Sequence, residues 1–399
     1  MVKVAIINQF SPRVCDYKSI EELEDKKYEI EFFTKSRFKS YYSGSKFKCY
    51  FYDDLLENQN YLFDLIESHA KKPFNYIVAT HEFDIVLAAK IRELLGLSGQ
   101  NIESAIGFRD KYIMKKYLEK VVSLPKYAEI NDCIDLIEFT DNLRYPFVVK
   151  PRQGAGSIGV TIIQNKSELK DFISTPLSPN IMVETFTDGE MYHVDGLFKD
   201  SEILLYSVSK YFNDCLSFKT NTPLGSYIID DSNPLSKKLY DATLKVLTKI
   251  PTPSHTIPFH AEFFVDGEQI TFCEIASRVG GGLINDSFKL ITNINLQETF
   301  VKSQIGIDYL NIIKSDKRTA WITIPPKEGE LLSVSLYKDS WVEKVNFDET
   351  SIGRKYSGGD FSASALIAYL ISGKNEEDLK SKISHIIKWQ DENTIYKVK

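Results

Sequence analysis

Closely spaced cysteines are missing from this chain. Its five cysteines, Cys15, Cys49, Cys133, Cys215 and Cys273, are scattered, and no two stand at CxxC spacing. That argues against a zinc or dithiol redox motif, and scattered thiols fit a reducing cytoplasm better than a disulfide framework. An excess of positive charge is missing too: 49 Lys and Arg stand against 55 Asp and Glu, a net charge of -6. Without a basic footprint, nucleic-acid binding is not expected. No apolar run approaches the roughly 20 residues of a membrane span, so no membrane partner is expected. The opening run Met1-Val-Lys-Val-Ala-Ile-Ile-Asn8 is too short and mixed for a signal peptide, and a cytoplasmic location is expected. Neither repeats nor low-complexity segments occur. No Ser-His-Asp or Cys-His arrangement for covalent catalysis is legible.

What remains is ordinary globular material. With 399 residues, 43% hydrophobic and 26% charged, the chain is long enough for two or three domains. Val2–Asn8, 28–33 and 74–79 read as strands. Helical apolar spacing runs over 54–70, and a second helix over 83–95 ends at Gly96. This alternation predicts an α/β sheet over roughly the first hundred residues. A helix is predicted over 104–120, then strands at 127–130 and 147–150. Ser167 reads as the cap of a helix over 167–173. Strands are predicted at 181–184, 191–198 and 202–209, and a helix at 234–250. A hairpin at 260–275 turns on Asp266-Gly267. Helices at 296–305 and 376–389 flank strand-like runs at 320–324 and 332–336.

The most informative stretch is Tyr145-Pro-Phe-Val-Val-Lys-Pro-Arg-Gln-Gly-Ala-Gly-Ser-Ile-Gly-Val160. It reads as a buried strand that delivers Lys150, then a loop carrying Gly154, Gly156, Ser157 and Gly159, then a β-branched strand. It is not a Walker A loop, where the lysine follows the glycines and a helix opens. The glycines have dinucleotide-fingerprint spacing, yet a strand follows them instead of a helix. By itself the unit is either a structural turn or a flap whose N–H groups cradle phosphate beside a lysine.

The hairpin Phe259-His-Ala-Glu-Phe-Phe-Val-Asp-Gly-Glu-Gln-Ile-Thr-Phe-Cys-Glu-Ile-Ala-Ser-Arg-Val-Gly-Gly-Gly282 places Glu262 and Glu274 almost symmetrically about its turn. Two carboxylates on one side repel unless protonated or bridged by a cation. Hard oxygen ligands beside phosphates suit Mg2+. Solvated acids are the alternative, and a salt bridge is the alternative for Arg278. His260 reads equally as a packed hairpin histidine.

Taken together with Ile106-Gly-Phe-Arg-Asp-Lys111 and with Glu184-Thr-Phe-Thr-Asp-Gly-Glu190, these segments make the chain resemble the ATP-grasp superfamily. Within it, the likeness is to the carboxylate–amine ligases typified by L-amino-acid ligases. The resemblance implies an α/β fold, α+β in the ATP-grasp part. It implies a Rossmann-like domain over 1–103, an ATP-grasp domain over 104–305 with a mobile flap at about 121–186, and a cap over 306–399. Lys111, Lys150 and the flap residues Gly154, Gly156 and Ser157 would contact ATP phosphates. Glu184, Thr185 and Phe186 would meet adenine, and Glu190 the ribose. Lys210 would reach phosphates or substrate, Glu262 and Glu274 would hold Mg2+ (Mn2+ being the alternative), and Arg278 with Lys150 would serve catalysis. The implied reaction phosphorylates a carboxylate with ATP and passes the acyl group to an amine, releasing ADP and phosphate. Small-molecule carboxylates and amines are the implied substrates. A carrier-protein acceptor, a homodimer, and a biotin-carboxylase-like or non-catalytic ATP binder are alternatives.

One departure stands out. Many family members carry Glu-x-Asn at the second metal position, and here it is Glu274-Ile-Ala276. Alanine cannot ligate, which leaves Ser277, His260 or water for a third position. Glu82 is expected to line the cleft. The polar loop 217–226 is expected to cover the amine side.

Overall fold

The computed structural model describes residues 1–141, 143–213, 221–359 and 365–397. The expected loop over 217–226 lies outside the described residues in its first half.

The chain begins with a parallel four-stranded sheet. Its strands β1 (Val2–Asn8), β2 (Tyr28–Lys35), β3 (Lys48–Tyr52) and β4 (Tyr76–Ala79) lie in the order β3-β2-β1-β4. β1 is nearly continuous in apolar residues because it sits between two parallel neighbours and is covered on both faces. The short α1 (Lys39–Tyr42) precedes β3, and α2 (Tyr61–Lys71) and α3 (Ile85–Leu95) follow it. Leu65, Ala88 and Ile91 of these helices pack on Ala5, Ile7 and Phe33. The helix expected over 54–70 starts only at Tyr61. Asp54 Oδ1 accepts from the N–H groups of Leu56 and Glu57 at 2.7 and 3.2 Å, a local turn that competes with helix. Gly96 closes α3 in the left-handed conformation, as its position suggested.

The helix expected over 104–120 is two helices, α4 (Ile102–Arg109) and α5 (Lys111–Leu118). Asp110 breaks it. Its backbone is extended, and its Oδ1 caps α5 by accepting from Tyr112 and Ile113. Next comes a small antiparallel sheet of β5 (Tyr127–Ile130), β6 (Phe147–Pro151), β7 (Thr161–Ile163) and β8 (Ile181–Thr185), in the order β5-β8-β6-β7. α6 (Cys133–Asp141) and α7 (Lys166–Phe172) accompany it. Asn165, not Ser167, caps α7, since its side chain accepts from the N–H groups of Ser167 and Glu168.

The largest sheet comprises β9 (Glu190–Lys199), β10 (Glu202–Tyr211), β11 (Leu224–Ile228), β12 (Ile257–Asp266) and β13 (Gln269–Ala276). It also takes in β14 (Arg318–Ile324), β16 (Val342–Phe347) and β18 (Ile367–Gly373). Their order is β13-β12-β9-β10-β11-β14-β18-β16. A three-stranded sheet of β15 (Gly329–Val334), β17 (Lys355–Tyr356) and β19 (Thr394–Lys397) stands beside it. Alternation along the strands separates two faces. Tyr192, Val194, Phe259, Ala261 and Phe263 form one apolar core with α8 (Pro234–Lys249) and α11 (Glu376–Asn393). His193, Asp195, His260 and Glu262 point the other way. On that side lie α9 (Ile284–Thr292) and α10 (Leu296–Ser303). The triple glycine Gly280–Gly282 thus leads into α9, a helix that glycine-rich sequence does not announce.

Candidate functional site

A cleft of about 340 Å3 lies between the flap sheet and the large sheet, a size suited to a small-molecule ligand. Its roof is the β6–β7 hairpin, whose antiparallel pairing Phe147↔Ile163 to Val149↔Thr161 agrees with the strand–loop–strand reading. Gly156 and Gly159 take φ of +62° and +75°, and Ser157 shares that left-handed region at +59°. A Cβ on Gly159 would stand 2.9 Å from Pro151 Cγ, so the turn requires glycine. Lys111 Nζ donates to Gly154 O at 2.9 Å and ties the loop to the start of α5. Arg152 is held by Asp110, with Nη2 to Oδ2 at 2.7 Å, and also pairs with Glu129.

The cleft brings together Lys111, Lys150, Gly154, Gly156, Ser157, Glu184, Thr185, Phe186, Glu262 and Glu274. Glu190, Lys210 and Arg278 are not among its lining residues. Glu190 is mostly exposed and pairs with Lys210 Nζ at 2.5 Å, so these two belong together at the rim. The N–H groups of Thr185 and Phe186 donate to the carbonyls of Lys126 and Pro146 at 2.9 and 3.2 Å.

At the floor, one buried carboxylate serves two lysines. Glu184 Oε2 lies 2.8 Å from Lys150 Nζ, and its Oε1 lies 3.2 Å from Lys115 Nζ. Burial disfavours the charged form of Glu184, but the two lysines outweigh it and hold the carboxyl below its usual range. Burial likewise works against protonated Lys150, and Glu184 reverses this and raises it. Lys115 was not singled out from sequence. The available signal was its place one turn after Lys111, on the same face of α5.

Glu262 and Glu274 are directly opposite one another on β12 and β13. The register near the turn pairs Phe263 with Phe272 and then shifts, so that Cys273 is the extra residue of a β-bulge. Without it, Glu262 would oppose Cys273, and Glu274 would turn to the other face. Glu274 Oε2 lies 2.9 Å from Lys111 Nζ. Burial opposes its ionisation, yet Lys111 and Lys150 lower its carboxyl to about 2. Two carboxylates on one face, both lining a cleft beneath the flap, are an oxygen donor set that fits Mg2+. Ala276 adds no ligand. Ser277 is buried and turned away, accepting from Gln100 Nε2 at 3.0 Å.

Behind Glu262 is a buried polar network. Tyr211 donates to Glu262 Oε1 at 2.9 Å, and His260 Nε2 is 3.3 Å from the same oxygen. His260 Nδ1 bonds Asp195 Oδ1 at 2.8 Å, and the other oxygen of Asp195 meets His193 Nδ1. His193 Nε2 ends the chain on Ser226 Oγ at 2.7 Å. Burial pushes His260 down, but Asp195 dominates and raises it to about 10. His260 is therefore packed within the sheet face and touches the candidate metal carboxylate as well.

Arg278 is anchored from outside the hairpin. Its Nε pairs with Glu82 Oε2, and Glu82 Oε1 pairs with Arg109, which also donates to Gln153 O at 2.5 Å. Burial raises Glu82, but Arg278 and Arg109 prevail and lower it to about 2. Glu82 thus faces the two arginines and is not among the residues lining the cleft.

Residues 143–286 match the ATP-grasp domain family. Over 342 residues the chain is 24% identical to an L-arginine-specific L-amino acid ligase of Bacillus subtilis, covering 83% of this chain and 82% of that protein. A D-alanine–D-alanine ligase A of Bacillus cereus is 36% identical over 104 residues, 25% of this chain and 35% of that protein. The crystal structure of an L-amino acid ligase from Bacillus licheniformis superposes with a TM-score of 0.75 at 19% identity, over 100% of this chain and 99% of that one. The chain as a whole has the ATP-grasp fold, and the family match at residues 143–286 lies within it.

Proposed function

We propose that this chain is an ATP-dependent carboxylate–amine ligase, ADP-forming, with amino acids as substrates. The observation that carries this reading is the convergence on one cleft of two lysines, a glycine flap and a directly opposed pair of carboxylates. Names of the similar ligases support the substrate class.

In this reading Lys111, Lys150 and the flap loop hold the phosphates, Glu184 to Phe186 face adenine, and Glu190 with Lys210 meets the ribose side. Glu262 and Glu274 would hold Mg2+, which would supply neutralisation of phosphate charge. A carboxylate oxygen of one substrate attacks the γ-phosphorus, the bond to the bridging oxygen breaks, and ADP leaves. The amine nitrogen of the second substrate then attacks the acyl carbon, the C–O bond to phosphate breaks, and a proton is lost from nitrogen. Arg278, whose Nε is held by Glu82 and whose Nη1 donates to Val279 O, offers Nη2 to steady the oxyanion. The protein's contribution is positioning and electrostatics, with no protein nucleophile.

The deciding experiment incubates the chain with Mg2+-ATP and pooled amino acids and identifies nucleotide and conjugate by mass. ADP, phosphate and an amide conjugate are expected. AMP with pyrophosphate would mean adenylation and refute the mechanism.

A further inference from the structure

We propose that Lys115 is a positioning residue for the carboxylate pair: it fastens the bulge at Cys273 and so keeps Glu274 opposite Glu262. This rests on the reading of the cleft as a metal–nucleotide site.

β13 is the outermost strand of the large sheet. Its far edge is met by α5, which reaches three consecutive residues. Lys115 Nζ donates to Cys273 O at 2.6 Å, Lys111 Nζ lies 2.9 Å from Glu274 Oε2, and Ile275 N donates to Met114 Sδ at 3.4 Å. Residues 111, 114 and 115 share one helix face, so a single element grips the bulge residue Cys273 and the two residues that follow it. Lys115 is fully buried, and a buried ammonium is costly unless it is paired and hydrogen-bonded. Both conditions are met, by Glu184 and by the bulge carbonyl. The shorter contact is to the bulge, 2.6 Å against 3.2 Å, and Glu184 already has Lys150 at 2.8 Å. Neutralising Glu184 therefore does not account for the lysine by itself. A bulge is a local departure from the ladder, and without an anchor the strand can slip by one residue and turn Glu274 to the opposite face.

The test measures Mn2+ binding to the chain with saturating ADP by electron paramagnetic resonance. ADP binding in EDTA is measured in parallel by equilibrium dialysis. Neither readout needs turnover. Lys115→Met is expected to weaken Mn2+ binding at least tenfold and to change metal-free ADP affinity less than threefold. Lys116→Met, which changes an exposed lysine of the same helix paired with Glu119, is the control and is expected to leave Mn2+ affinity within threefold of wild type. Wild-type Mn2+ affinity in Lys115→Met would overturn the proposal. If Lys115→Met does not fold, Lys115→Gln, which is shorter and uncharged, decides: a tenfold loss of Mn2+ affinity is expected there too, and wild-type affinity would overturn the proposal. Wild-type protein that binds no Mn2+ with ADP would defeat the nucleotide reading along with it. A chain that binds both and forms no amide defeats only the ligase reading.

Discussion

Glu82 and Arg278 form a partly buried ion pair across 196 positions of sequence, joining the N-terminal sheet to the loop that follows the carboxylate hairpin. The same carboxylate takes Arg109, which reaches the flap through Gln153. One side chain therefore connects three parts of the fold.

The pair makes stability depend on acid. The folded-state pKa of Glu82 is lowered from 4.5 to about 2. Its contribution is thus fully present above about pH 4.5 and is lost as pH falls toward 2, roughly 3 kcal/mol in all by linkage. Glu82→Gln should be less stable than wild type at pH 7 by about that amount, and the gap should narrow at pH 3. Urea unfolding at the two pH values checks this. A gap that does not change with pH would remove the ion pair from the account.

Glu274→Gln should lower Mg2+-dependent ATP turnover by roughly 10- to 100-fold, as loss of a metal-supporting group does. The fold should persist, since Glu274 lines the cleft and is not part of an apolar core. Phosphate release and far-UV circular dichroism measure the two halves of the claim. Turnover near wild type would free Glu274 from the metal role.

Lys150→Met should weaken ADP binding by roughly 10- to 100-fold, the range for one charge-assisted hydrogen bond. Calorimetric titration reads it directly. Unchanged affinity would disconnect the flap strand from phosphate.

Gly159→Ala should raise the KM for ATP severalfold, because the new Cβ meets Pro151 in a left-handed turn of the flap. Gly267→Ala is the control. It has φ of +57° with nothing within 4 Å, so it should cost about 1 kcal/mol of stability and leave the KM alone. Equal KM effects from both would mean that the flap turn has no special part.

Much of this was legible in the sequence where local chemistry dictates structure. β1, the β12–β13 hairpin and the flap each follow from apolar runs and glycine-marked turns; β1 has the expected bounds, and the hairpin strands extend the expected ones by up to three residues. The symmetric placement of Glu262 and Glu274 was visible, but the bulge that makes them opposite was not, because no residue type marks a bulge at Cys273. Asp110 looked like one polar residue in a long helix, and its capping role depends on Arg152 and the flap, 42 positions away. Lys115 and Arg109 fall within the single helix expected over 104–120, and nothing in its sequence marks them as buried. Their partners, Glu184, Cys273 and Glu82, come from other elements, and burial among them follows from tertiary packing alone.

The large sheet runs without interruption from β13, beside the carboxylates, to β16 near the end of the chain. β11 hydrogen-bonds to β14 from Leu224↔Thr323 to Tyr227↔Ala320. A fragment cut before β14 would leave the backbone of β11 as a bare template for a strand from another molecule. The segment from β14 onward is therefore also a guard against self-association, and versions cut before it should clump.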